Sequence, residues 1–112
     1  MRYALLINER PGSYDGLDAA ERAGITEAYT ALRQDPRVVD GARLGPAETA
    51  TTVRWGHDEL LITDGPFADT KEVFGGYYLV EAPDLDAALE LAGRIPAVRL
   101  GGSVEIRPVA AP

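Results

Sequence analysis

Gly76-Tyr77-Tyr78-Leu79-Val80-Glu81-Ala82 runs straight into Pro83-Asp84-Leu85, a strand pattern followed by a helix start. Asp84 offers a carboxylate to the free amide hydrogens of a first helical turn. Leu85, Ala88, Leu89 and Ala92 then recur at i, i+3, i+4 and i+7, which predicts the helix's apolar stripe, and Pro96 closes it. In the strand, Tyr77 and Leu79 point one way and Tyr78 and Val80 the other. Both faces of this strand are therefore apolar.

Working outward, Ser103-Val104-Glu105-Ile106-Arg107-Pro108-Val109 reads as a closing strand whose Pro108 belongs near an edge or exit. At the other end, Arg2–Ile7 reads as a buried strand, and Pro11, Gly12, Ser13 and Gly16 mark Asn8–Gly16 as a loop. A helix starts at Asp18, with Glu21 three residues on as in a capping box. Ile25, Ala28, Tyr29 and Leu32 give its stripe, and Pro36 ends it. Val38-Val39 and Ala42–Leu44 read as a strand around Gly41. Thr51–Trp55 and Leu60–Thr63 then flank Gly56-His57-Asp58 as a hairpin. The order is β, α, β, β-hairpin, β, α, β. This predicts one α+β domain over residues 1–112, a ferredoxin-like βαββαβ sheet with an inserted hairpin and both helices on one face.

Two helices cover one face of such a sheet, yet Ala4 and Leu6 oppose Tyr3, Leu5 and Ile7, as Tyr77 and Leu79 oppose Tyr78 and Val80. The second apolar face needs a cover. The long loop and hairpin folding back is one solution. A second copy packed sheet on sheet is the favoured one, so a homodimer is expected.

The formal net charge is −7, which argues against nucleic acid and anionic membranes as partners. There is no cysteine, so disulfides and thiolate chemistry are excluded. No signal-peptide pattern follows Met1–Asn8 and no apolar run approaches the ~20 residues of a membrane span; a cytoplasmic protein is the expectation. Lys71 is the single lysine beside ten arginines.

Asp64-Gly65-Pro66-Phe67 suits a tight turn with a stiffened exit and an aromatic anchor. Around it, Asp64, Lys71 and Glu72 are the candidate catalytic residues, since a carboxylate near a partly buried lysine can act as a base or help hold an anion. Arg54, Phe67, Asp69 and Tyr78 are the candidate ligand contacts. The competing account is a salt-bridged loop in which Lys71 and Arg54 neutralise the acids. His57 falls in a turn, and Asp58 and Glu59 beside it give no metal spacing. Gly75-Gly76 and Gly101-Gly102 lack a nucleotide-cradle frame, so neither metal nor cofactor is expected.

Asp64-Gly65-Pro66-Phe67-Ala68-Asp69-Thr70-Lys71-Glu72, followed by Gly75-Gly76-Tyr77-Tyr78, resembles the signature of the DGPF-type, YCII-related proteins. The resemblance runs from the Tyr3–Ile7 strand to Val104–Pro108. It implies a dimeric α+β barrel and, for some members, association with extracytoplasmic-function sigma factors. The wider superfamily's His-Asp pair has no counterpart at His57. Two functions are compatible with these residues. One is a homodimeric small-molecule-binding domain, as an enzyme working without a bound cofactor through the Lys71 cluster. The other is a non-catalytic regulatory or partner-binding protein tied to sigma-factor-dependent transcription.

Overall fold

The computed structural model describes residues 1–66 and 71–111. Its eight main elements are, in chain order, β1 (Arg2–Glu9), α1 (Ala19–Gln34), β2 (Val38–Arg43), β3 (Thr51–Gly56), β4 (Glu59–Asp64), β5 (Val73–Glu81), α2 (Leu85–Gly93) and β6 (Ser103–Pro108). The expected capping box forms: Asp18 Oδ1 accepts from the Glu21 amide at 2.8 Å, and Glu21 Oε1 accepts from the Asp18 amide at 3.2 Å. Asp35, the residue before Pro36, is extended, and α1 stops there. Asp84 Oδ1 accepts from the Ala87 amide at 2.9 Å and opens α2.

β2, β5, β1 and β6 form one sheet in that order, every neighbouring pair antiparallel. Each helix thus links two strands separated by a third, the arrangement of a ferredoxin-like α+β fold. β1 lies in the middle, so Leu5 sits opposite both Tyr78 and Ile106. Tyr3, Leu5 and Ile7, with Tyr78 and Val80, face Leu32 of α1 and Ala88, Leu91 and Ala92 of α2, making one core. Both helices therefore lie on the same side of the sheet.

One expectation is corrected. Leu85 and Leu89 of α2 are half exposed, at 51% and 50%, whereas Leu91 and Ile95 are fully buried. The buried stripe is Ala88, Leu91, Ala92 and Ile95, which has the same spacing as the expected one moved three residues on.

β3 and β4 pair only with each other, as a separate two-stranded sheet. The two-residue loop between Gly56 and Glu59 has positive φ at both His57 (50°) and Asp58 (61°), the signature of a type I′ turn. The molecule is thin, 46 × 43 × 19 Å. Nineteen ångströms is the depth of one sheet and one layer of helices, each about 10 Å. The second sheet face, with Ala4, Leu6, Tyr77 and Leu79 half-buried on it, is met by no third layer among the described residues.

Candidate functional site

Between α1 and the β2–β5 side of the sheet lies a cavity of about 770 Å³. The helix turns Arg22, Ile25, Thr26, Tyr29 and Arg33 toward it, a face spaced i, i+3, i+4, i+7 and i+11 that is polar at three of five places. A stripe so mixed lines a cavity instead of filling a core. β1 contributes Ile7 and Glu9, β5 contributes Tyr78, and the loop before α1 contributes Tyr14.

Glu9 can turn its carboxylate here because Gly75 has no side chain; a Cβ at Gly75 would sit 3.0 Å from Glu9 Cδ. The Tyr14 hydroxyl donates to Glu9 Oε1 at 3.5 Å, longer than the usual 2.5–3.0 Å for such a pair. It is a loose contact that a ligand oxygen can replace. The loop carrying Tyr14 is held by turns, Ser13 N to Arg10 O at 3.0 Å and Asp15 N to Gly12 O at 3.0 Å, and by Arg22 donating to Tyr14 O at 2.7 Å.

Burial raises the Tyr14 phenol above its ordinary value and the Glu9 charge adds to this, while Tyr29 and Arg43 pull it down. Tyr29 is raised further, by burial first and then by the neighbouring Tyr14 hydroxyl. Burial also raises Tyr78, against the pull of Arg33. The phenols of Tyr14, Tyr29 and Tyr78 thus line a cavity that also has the carboxylates of Glu9 and Asp40 on its wall. Arg33 and Arg43 stand exposed at its rim, and among the described residues neither forms an ion pair.

Of the residues expected from the sequence, Tyr78 is on this cavity's wall. Glu72 lines a second hollow of about 610 Å³ on the open face of the sheet, near the root of the hairpin, and accepts from Ser103 Oγ at 2.8 Å. Asp64 and Lys71 are exposed and line neither cavity, and Arg54 is exposed on β3. Neither of these two cavities has Asp64, Lys71 and Glu72 together on its wall. Phe67 and Asp69 lie outside the described residues. Among the described residues no cluster of three or more His, Asp or Glu is arranged to hold a metal ion, and no helix is long and apolar enough to cross a membrane.

The profile of the YCII-related domain matches residues 1–111. The chain belongs to the YCII-related family. A curated relative, an uncharacterized protein of Rhizobium meliloti (strain 1021), is 43% identical over 70 residues. That match takes in 62% of this YCII-related chain and spans 56% of the relative's length. Among solved structures, 5-chloro-2-hydroxyhydroquinone dehydrochlorinase (TftG) from Burkholderia phenoliruptrix AC1100, in complex with 2,5-dihydroxybenzoquinone, superimposes with a TM-score of 0.54. The superposition covers 98% of this YCII-related domain and 94% of the dehydrochlorinase at 16% identity, and so establishes a shared fold.

Proposed function

We propose that this YCII-related domain is a homodimeric, DGPF-type small-molecule-binding protein whose Glu9–Tyr14–Tyr29 cavity takes a small, oxygen-rich anion and exchanges a proton with it. The observation that carries the reading is the Tyr14 hydroxyl set against Glu9 Oε1 on the wall of a cavity rimmed by Arg33 and Arg43, which form no ion pair among the described residues. In a chain of net charge −7, three arginines on the cavity lining, Arg22, Arg33 and Arg43, outnumber its two carboxylates, Glu9 and Asp40, and this local excess favours a negatively charged guest. Its volume, about 770 Å³, is that of a small-molecule site, and its aromatic walls suit a planar ring. In the proton step a substrate hydroxyl gives its proton to the Tyr14 oxygen as Tyr14 passes its own to Glu9. The substrate is left as an oxyanion facing Arg43, and no cofactor takes part. A base and a shielded cavity are also what dehydrochlorination of a hydroxylated ring requires, the reaction named for the dehydrochlorinase of the same fold. The uncovered apolar sheet face supports the homodimer.

A second reading keeps the chemistry at Lys71, Glu72 and Asp64, and the hollow lined by Glu72 favours it. A thermal-shift and calorimetric screen with hydroxybenzoates, hydroxylated quinones and 2,5-dihydroxybenzoquinone separates the two. A ligand at a hundredfold excess over its dissociation constant adds about 2.7 kcal/mol to the folded state. Loss of that shift in Arg43→Gln, with Lys71→Ala unaffected, is the expected result. Loss in Lys71→Ala alone would move the site to the loop, and silence across the panel would remove the reading altogether.

A further inference from the structure

Alternation along β3 and β4 gives the hairpin one apolar side. Val53 pairs with Ile62 and Trp55 with Leu60, so these four side chains share a face, while Thr52, Arg54, Glu59 and Thr63 occupy the other with Leu61. The apolar side is the open one: Trp55 is 70% exposed and Ile62 69%. A two-stranded hairpin standing alone in water is marginal, and this one exposes the chain's single tryptophan. The radius of gyration, 16.0 Å, exceeds the roughly 13 Å of a closed domain this long, as expected for a molecule with a projecting arm.

We infer that the β3–β4 hairpin is a clasp that lays Val53, Trp55, Leu60 and Ile62 on a second copy of this chain. The clasp rests on the proposed homodimer and assigns the hairpin a part in it. The chain carries two uncovered apolar surfaces, the hairpin side and the sheet face of Leu6, Tyr77 and Leu79. Its own helices are already committed to the opposite sheet face. A tryptophan buries about 150–250 Å² by itself. With three aliphatic neighbours and the open sheet face, each copy reaches the ~800 Å² that a stable interface removes per partner. The four hairpin side chains are uncharged, and on the sheet face the charges of Asp40, Glu105 and Arg107 stand on the two outer strands and leave its middle apolar.

Trp55 is its own probe. Sedimentation and tryptophan fluorescence are followed together over a dilution series of the intact chain. A dimer whose Trp55 resists acrylamide quenching, and loses that protection at the dilution where the dimer dissociates, is the expected result. Leu60→Asp with Ile62→Asp weakens self-association at least a hundredfold and leaves far-ultraviolet circular dichroism unchanged, because both side chains are exposed in one copy. A dimer with Trp55 freely quenched removes the clasp and keeps the dimer. A monomer with Trp55 freely quenched removes both readings. Shielded Trp55 in a monomer places the hairpin on its own chain and overturns the clasp.

Discussion

Gly41 of β2 lies flat against the ring of Tyr78, its register partner on β5: a Cβ at Gly41 would stand 2.6 Å from Tyr78 Cδ1 and 2.8 Å from the Tyr77 carbonyl oxygen. No rotamer change relieves the second of these contacts, since it is backbone. Gly41→Ala therefore has to push β2 from β5 and shift the tyrosine on the cavity wall. The expected cost is about 1–3 kcal/mol in a denaturant melt, the range of core overpacking. A ligand of the cavity should also bind more weakly to the variant than to Gly24→Ala on α1, where a Cβ meets open space.

Tyr14→Phe removes one oxygen from the cavity and no volume to speak of. If the phenol relays a proton to Glu9, the variant keeps ligand affinity within a few-fold and loses turnover by about 10²–10⁴, the usual contribution of one positioned proton-transfer group. Glu9→Gln should lose a similar factor. Tyr29→Phe, one position further from the carboxylate, should fall between these and the unaltered chain. Steady-state kinetics on any substrate found by the ligand screen distinguishes these effects on kcat from effects on KM.

Tyr29 supplies a test at high pH. Burial and the adjacent Tyr14 hydroxyl hold its phenol above the ordinary value of 10.0. A raised folded-state value means a contribution that is complete below about pH 10 and lost as the pH climbs through the folded value. Ultraviolet titration of the five tyrosines should show Tyr14, Tyr29 and Tyr78 titrating late, with the latest of these phenols absent in Tyr29→Phe. That variant should also lose less stability between neutral and strongly alkaline pH.

α2 shows where the sequence was ambiguous. Leu85, Ala88, Leu89, Ala92 and Ala88, Leu91, Ala92, Ile95 satisfy the same helical spacing, and nothing local chooses between them. Tertiary packing chose the second, because Ile95 beyond the helix end is fully buried and carries the stripe onward. Strand order, both helix caps and the hairpin were legible because each rests on nearby residues, such as Asp18 with Glu21. The cavity was less so. Glu9, Tyr14 and Tyr29 are brought together only by folding the loop of residues 9–18 over the sheet, and the polar interruptions of the α1 stripe were its one local trace. Leu91→Ala should cost about 2–5 kcal/mol and Leu89→Ala within about 0.5 kcal/mol, read by chemical denaturation.

Asp35 ties three elements at one end of the fold. Arg37 donates to it at 3.0 and 2.8 Å, Arg94 approaches at 3.7 Å, and Arg37 also reaches Glu90 at 3.3 Å. The C-terminus of α1, the start of β2 and the end of α2 are thereby joined. The hydrogen bonds from Arg37 lower the Asp35 carboxyl to about 2, from an ordinary 3.8. A depressed folded-state value contributes stability that is present above the unfolded value and lost as pH falls through the folded one. Asp35→Asn should therefore be less stable at neutral pH, on the order of 1 kcal/mol once solvent screening is allowed for. Thermal melts of the two proteins should converge as pH drops from about 4 toward 2, and raised salt should narrow the gap at pH 7. A gap that persists unchanged at pH 2 would mean that Asp35 acts through its shape and hydrogen bonds, with its charge contributing nothing.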